Sequence, residues 1–116
     1  MVLFLEVVAR TGNVAHELAF RLLASTGLRV AELVALKKQD VDVAQGRLRV
    51  VQGKGGKDRI VLFPEALQIP LRLYLQSLPP EQVYLFETER LKRPWSTRWV
   101  NKLCHAYGEE AGIPQM

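Results

Sequence analysis

The chain has 116 residues, one domain's length and enough for a modest core, and its 48% hydrophobic and 24% charged residues exclude intrinsic disorder. Sixteen Lys and Arg against twelve Asp and Glu leave a formal net charge of +4, a modest tilt toward an anionic partner such as nucleic acid. A single cysteine, Cys104, excludes an intramolecular disulfide, fits a reducing compartment and leaves no residue set for a metal site.

The opening MVLFLEVVAR holds Glu6 inside a short apolar stretch, has no basic leader and no small-residue cleavage site, and does not read as a signal peptide. No apolar run is long enough to span a bilayer. The expectation is a cytoplasmic, nucleoid-associated protein without a membrane partner.

In chain order, residues 2–9 read as a short helix ended by Thr11-Gly12. Asn13 caps a second helix over 14–26, with Val14, Leu18 and Leu22 as its apolar stripe and Gly27 as its left-handed terminator. A third helix covers 29–36, with Val30, Leu33 and Val34 toward the core. After KKQD the period changes to alternation, Leu48 and Val50 against Arg47 and Arg49, and Ile60 to Phe63 forms a second strand-like run. Residues 47–63 are therefore a β-hairpin, with a loop too long for a two-residue turn. Pro64 opens a helix over 64–76 with Leu67, Leu71, Tyr74 and Leu75 on one side, LPPEQ is a loop, and VYLF is a third short strand. Ser96 or Thr97 caps a last helix, 97–111, striped by Val100, Leu103, Cys104, Tyr107 and Ala111 and closed by Gly112 and Pro114. The fold class is α+β, mostly helical with a small antiparallel sheet.

The loop QGKGGKD suggests a phosphate cradle, but neither nucleotide motif fits. A P-loop needs a glycine five residues before Gly53, where Leu48 stands, and Gly55 follows the lysine; a dinucleotide fingerprint needs glycine at Asp58. Charge placement is more informative. Residues 37–59 hold Lys37, Lys38, Arg47, Arg49, Lys54, Lys57 and Arg59 against Asp40, Asp42 and Asp58, seven minus three, an excess equal to the whole chain's +4. A second cluster, Arg90, Lys92, Arg93, Arg98 and Lys102, surrounds Trp95 and Trp99. Such stripes neutralise phosphates and release counterions.

Taken together, TGLRVAELVALKKQDVD, then VQGKGGKDRIVL, then STRWVNKLCHAYGEEAGIP resemble, in order and spacing, the catalytic domain of the tyrosine recombinases, or phage integrases. The likeness runs from about residue 10 onward. It implies DNA cleavage and rejoining through a covalent 3′-phosphotyrosine, with no metal or nucleotide cofactor. Arg29 matches the family's first catalytic arginine, whose planar fork donates paired hydrogen bonds to the scissile phosphate. Lys54 matches the hairpin lysine that acts as general acid, its pKa lowered by Lys57, Arg59 and Arg29. Glu32, one turn after Arg29, is expected to orient it from behind. Lys37, Lys57, Arg59, Arg93 and Arg98 are the expected DNA contacts, with double-stranded DNA as partner.

The family's active site also uses a His-x-x-Arg motif, a further His or Trp, and a nucleophilic Tyr. His16 is followed by Glu17, Leu18 and Ala19, and His105 by Ala106, Tyr107 and Gly108, so neither begins that motif. Tyr74, Tyr84 and Tyr107 sit in apolar patterns that suit packed rings. The resemblance thus implies the first half of a catalytic domain over 1–116, with clamp and acid but no nucleophile and no core-binding domain. Such a fragment binds DNA and cuts none alone; the alternative is a non-catalytic DNA-binding or regulatory module of the same descent. A third reading, an unrelated basic α+β interaction domain, requires Arg29 and the hairpin to lie apart. Helix stripes left without their other half imply self-association, with exchange of the 97–111 helix as a route.

Overall fold

Asn13 and Gly27 bracket a helix that packs on three others. The computed structural model describes residues 2–51, 56–88 and 92–110. Helix α1 (Val2–Arg10) ends at Thr11-Gly12. The Asn13 side chain then accepts the His16 N–H at 3.1 Å and starts α2 (Val14–Thr26). Gly27 ends α2 at φ +73°, and no atom would crowd a Cβ there, so the backbone conformation alone selects glycine. Of the expected stripe, Leu18 and Leu22 are buried, whereas Val14, in the first turn, is half exposed.

Helix α3 (Val30–Ala35) is shorter than the expected 29–36, because Arg29 and Leu36 are extended flanking residues. Its Leu33 is fully buried, with Val30 and Val34 packed partly against the core. A single 3₁₀ turn, Lys38–Asp40, leads into the sheet. Strands β1 (Val41–Asp42), β2 (Arg47–Val50) and β3 (Arg59–Leu62) form one antiparallel sheet in the order β1-β2-β3. The β2–β3 pair falls within 47–63, in the register Arg47↔Leu62 to Val50↔Arg59. Its alternation puts Leu48 and Val50 in the core and Arg47 and Arg49 in solvent.

The third strand is Val41–Asp42 and not VYLF. Tyr84 makes only an isolated bridge to Lys37, although Lys38 N–H reaches the Val83 carbonyl and Leu85 N–H the Leu36 carbonyl. The Glu87 carboxylate accepts the N–H groups of Val83 and Tyr84, which bends that segment away from a longer ladder. The helix expected over 64–76 begins as a 3₁₀ turn, Glu65–Leu67, behind an extended Pro64, and continues as α4 (Gln68–Ser77). Pro70 fits because its missing N–H falls in the first turn, where no intrahelical partner exists. Helix α5 (Thr97–Glu110) is capped by Ser96, whose hydroxyl accepts Trp99 N–H at 3.0 Å. Residues Ala111, Gly112 and Pro114 lie outside the described residues.

Helix α2 packs on α1, α3 and α4, and α5 packs on α1 and α3. Phe4, Leu18, Leu22, Leu33, Leu48, Leu71, Phe86 and Val100 join helices and sheet in one core. A second aromatic layer stacks Phe86 on Trp95, with centroids 4.9 Å apart.

Candidate nucleic-acid interface

Arg29 precedes α3 in extended conformation, φ −77° and ψ 152°, with its carbonyl accepting the Glu32 and Leu33 N–H groups at 3.0 Å each. Glu32 Oε1 accepts the Arg29 backbone N–H at 2.9 Å. A guanidinium has no acceptor, so the Arg29 side chain takes no part in this cap. It is exposed and has no hydrogen-bond or ion-pair partner among the described residues. The turn thus presents a fork of donors at a fixed point of the backbone.

Glu32 faces the sheet. Its carboxylate receives both Nη1 and Nη2 of Arg59, the latter at 3.0 Å, and its side chain is only 16% exposed. The bond to Glu32 raises the Arg59 pKa still further above its ordinary value. Glu32, expected to orient Arg29 from behind, holds the Arg29 backbone N–H and the Arg59 guanidinium. The first residue of β3 is thereby fastened beside the start of α3. Lys54 lies outside the described residues; Lys57, within them, is exposed.

Three in-chain acids hold the strand arginines. Asp40, 6% exposed, accepts Arg49 Nε at 3.4 Å and the Lys37 N–H at 3.0 Å. Asp42 lies 3.8 Å from Arg47, and Glu32 takes Arg59. Lys38 Nζ donates to the Pro79 carbonyl at 3.1 Å, and Lys37 Nζ lies over the Tyr84 ring, 5.9 Å from its centre. Arg59 and Lys37, expected as DNA contacts, also have these partners within the chain. Composition counts charges; only tertiary structure tells which are already matched.

Arg93 and Arg98 are exposed, Arg93 in the loop closed by the Thr88 N–H to Arg93 carbonyl bond at 2.7 Å, Arg98 in the first turn of α5. No hydrogen bond or ion pair among the described residues joins them to Arg29 or the hairpin. Arg90 lies outside the described residues, and Trp95 is buried, leaving Trp99 as the accessible ring of that cluster.

The tyrosines and His16 have structural partners. Tyr74 hydroxyl donates to the Leu85 carbonyl at 2.8 Å, and burial pushes its pKa well above the ordinary value. Tyr107 is buried, its hydroxyl 2.6 Å from His16 Nδ1, and the imidazole lies edge-on to Trp95 at 5.5 Å. The His16–Tyr107 contact is long-range, a polar residue on α2 opposite one on α5. Among the described residues no group of three or more His, Cys, Asp or Glu could hold a metal, and no helix is long and apolar enough to cross a membrane.

Comparison with known proteins agrees with this geometry. The model described as "Phage integrase family" matches residues 2–116. Tyrosine recombinase XerA of Thermococcus kodakarensis is 46% identical over 94 residues, covering 79% of this chain and 33% of the relative. XerA of Pyrococcus furiosus is 37% identical over 111 residues, covering 94% and 38%. A crystal structure of XerA recombinase superimposes with a TM-score of 0.81 at 30% identity, over 97% of this chain and 41% of that one. The chain spans about a third of the length of the curated relatives it matches.

Proposed function

The chain belongs to the phage integrase family, and on that premise we propose that its 116 residues are the phosphate-gripping portion of a site-specific tyrosine recombinase acting on double-stranded DNA. The observation that carries this reading is the Arg29 guanidinium at the start of α3, unengaged among the described residues, with the hairpin fastened to the same turn through Glu32 and Arg59. Arg29 donates paired hydrogen bonds to the nonbridging oxygens of the scissile phosphate and offsets the charge that grows in the pentacoordinate state. Lys54 gives its proton to the departing 5′ oxygen as a tyrosine oxygen bonds to phosphorus. Lys57, Arg93 and Arg98 bind flanking phosphates.

Cleavage also requires the tyrosine and the His-x-x-Arg pair. The 116 residues contain no such motif, and the buried hydroxyls of Tyr74 and Tyr107 are already bonded. The chain as given binds duplex DNA, self-associates and breaks no strand by itself. A nicked suicide duplex incubated with the chain and run on a denaturing gel yields no covalent adduct, while fluorescence anisotropy shows salt-sensitive binding that weakens in Arg29→Ala. An adduct contradicts the inactivity, and binding no stronger than that of a neutral protein of equal size contradicts the interface.

A further inference from the structure

β3 is an outer strand of the sheet. Its phase follows from one bond, Phe63 N–H to the Gly46 carbonyl at 2.9 Å, in the register Arg47↔Leu62, Leu48↔Val61 and Arg49↔Ile60. In an antiparallel ladder the pairs alternate between bonded and non-bonded, so Arg59, Val61 and Phe63 turn their N–H and C=O groups toward β2. Ile60 and Leu62 turn theirs outward, where they meet no backbone partner among the described residues. Both side chains also stand in solvent, 56% and 67% exposed.

Natural sheets guard such edges with lysines, prolines or bulges; between Ile60 and Leu62 there is none. The strand arginines form no barrier either. Arg59 is matched by Glu32, Arg49 by Asp40 and Arg47 by Asp42, so a like-charged copy approaching this edge meets largely neutralised arginines despite the net charge of +4.

We propose that a second copy of this chain pairs along this edge, β3 antiparallel to β3, about a two-fold axis through Val61. Ile60 then lies opposite Leu62 of the second copy, and the two outward-facing residues exchange their hydrogen bonds in both directions. Arg59 falls opposite Phe63 of the second copy, so no two arginines of β3 oppose each other. On the solvent face Ile60, Leu62 and their counterparts close into one apolar patch, the cross-strand contact that stabilises sheets. The three-stranded sheet becomes a continuous one across both chains. The pairing needs no DNA, so it stands or falls apart from the recombinase reading.

Sedimentation velocity of the chain from micromolar to millimolar concentration, without DNA, tests it. The wild type is expected to shift from monomer to dimer. Ile60→Lys/Leu62→Lys is expected to remain monomeric with unchanged circular dichroism, since both side chains are exposed. Ile60→Pro, which deletes an N–H that β2 does not use, is expected to lose the dimer too. A wild type that stays monomeric at millimolar concentration overturns the proposal. So does a dimer that survives both edge variants, or one abolished only by Ile69→Lys/Leu73→Lys on the exposed side of α4.

Discussion

Arg59 and Glu32, 27 positions apart, form a two-pronged ion pair that ties the first residue of β3 to the first turn of α3. The same carboxylate holds the Arg29 backbone N–H. One acid thereby sets the hairpin against the backbone that carries the proposed phosphate fork. Removing it releases both restraints. In Glu32→Ala and Arg59→Ala, amide hydrogen exchange at Val61 and Val50 is expected to accelerate while the melting temperature moves little, because the guanidinium is solvated and exposed pairs contribute weakly to global stability. Unchanged exchange in both variants would show that the ladder alone holds the hairpin.

The difference between matched and unmatched cations predicts which arginines matter for DNA. Arg29→Ala is expected to lower the slope of log affinity against log salt by about one, the loss of one phosphate contact. Arg29→Lys keeps the charge and most of that slope, yet binds more weakly because an ammonium cannot present a planar pair of donors. Arg49→Ala is expected to leave the slope nearly unchanged, since Asp40 already neutralises that side chain. Equal slope changes for Arg29 and Arg49 would mean that the ion pairs open on binding.

Asp40 is the buried charged residue of the described core. Its oxygens accept the Lys37 N–H and the Arg49 guanidinium, fixing the turn that redirects the chain from α3 into β1. Asp40→Ala leaves both donors without this partner and is expected to cost about 2 kcal/mol in urea unfolding. Asp40→Asn keeps an acceptor for the backbone N–H and is expected to lose less. Identical losses would assign the effect to charge alone.

Local chemistry made much of this architecture legible in the sequence. Asn13, Gly27 and the alternation around Leu48 and Val50 act within a few residues, and each fixes an element by capping, by backbone handedness or by face. The hairpin could be read on the same grounds, and the role expected of Arg29 only through the family resemblance. Partners chosen across the fold could not. That Glu32 turns to Arg59, that Asp40 is buried under Arg49, and that Tyr84 stops at one bridge depend on how helices and sheet meet. Val41–Asp42 was invisible because two residues carry no period; only the partner β2 makes them a strand.

His16 predicts a pH dependence of stability. Burial among Trp95, Trp99 and Tyr107 disfavours the charged imidazolium and lowers its pKa below the ordinary 6.5. The unfolded chain then takes up a proton before the folded one does. His16 therefore contributes stability above pH 6.5 that is lost progressively as the pH falls through that value toward the lower, folded one. Thermal melts from pH 8 to pH 5 are expected to show a falling midpoint below about 6.5, and His16→Phe is expected to flatten that fall while filling the same aromatic site. The other histidine, His105, is solvent-exposed on both sides of its bond to Glu109 and serves as the internal control. A pH profile that survives in His16→Phe but vanishes in His105→Ala would place the sensitive proton on α5's surface and not in the aromatic layer between α2 and α5.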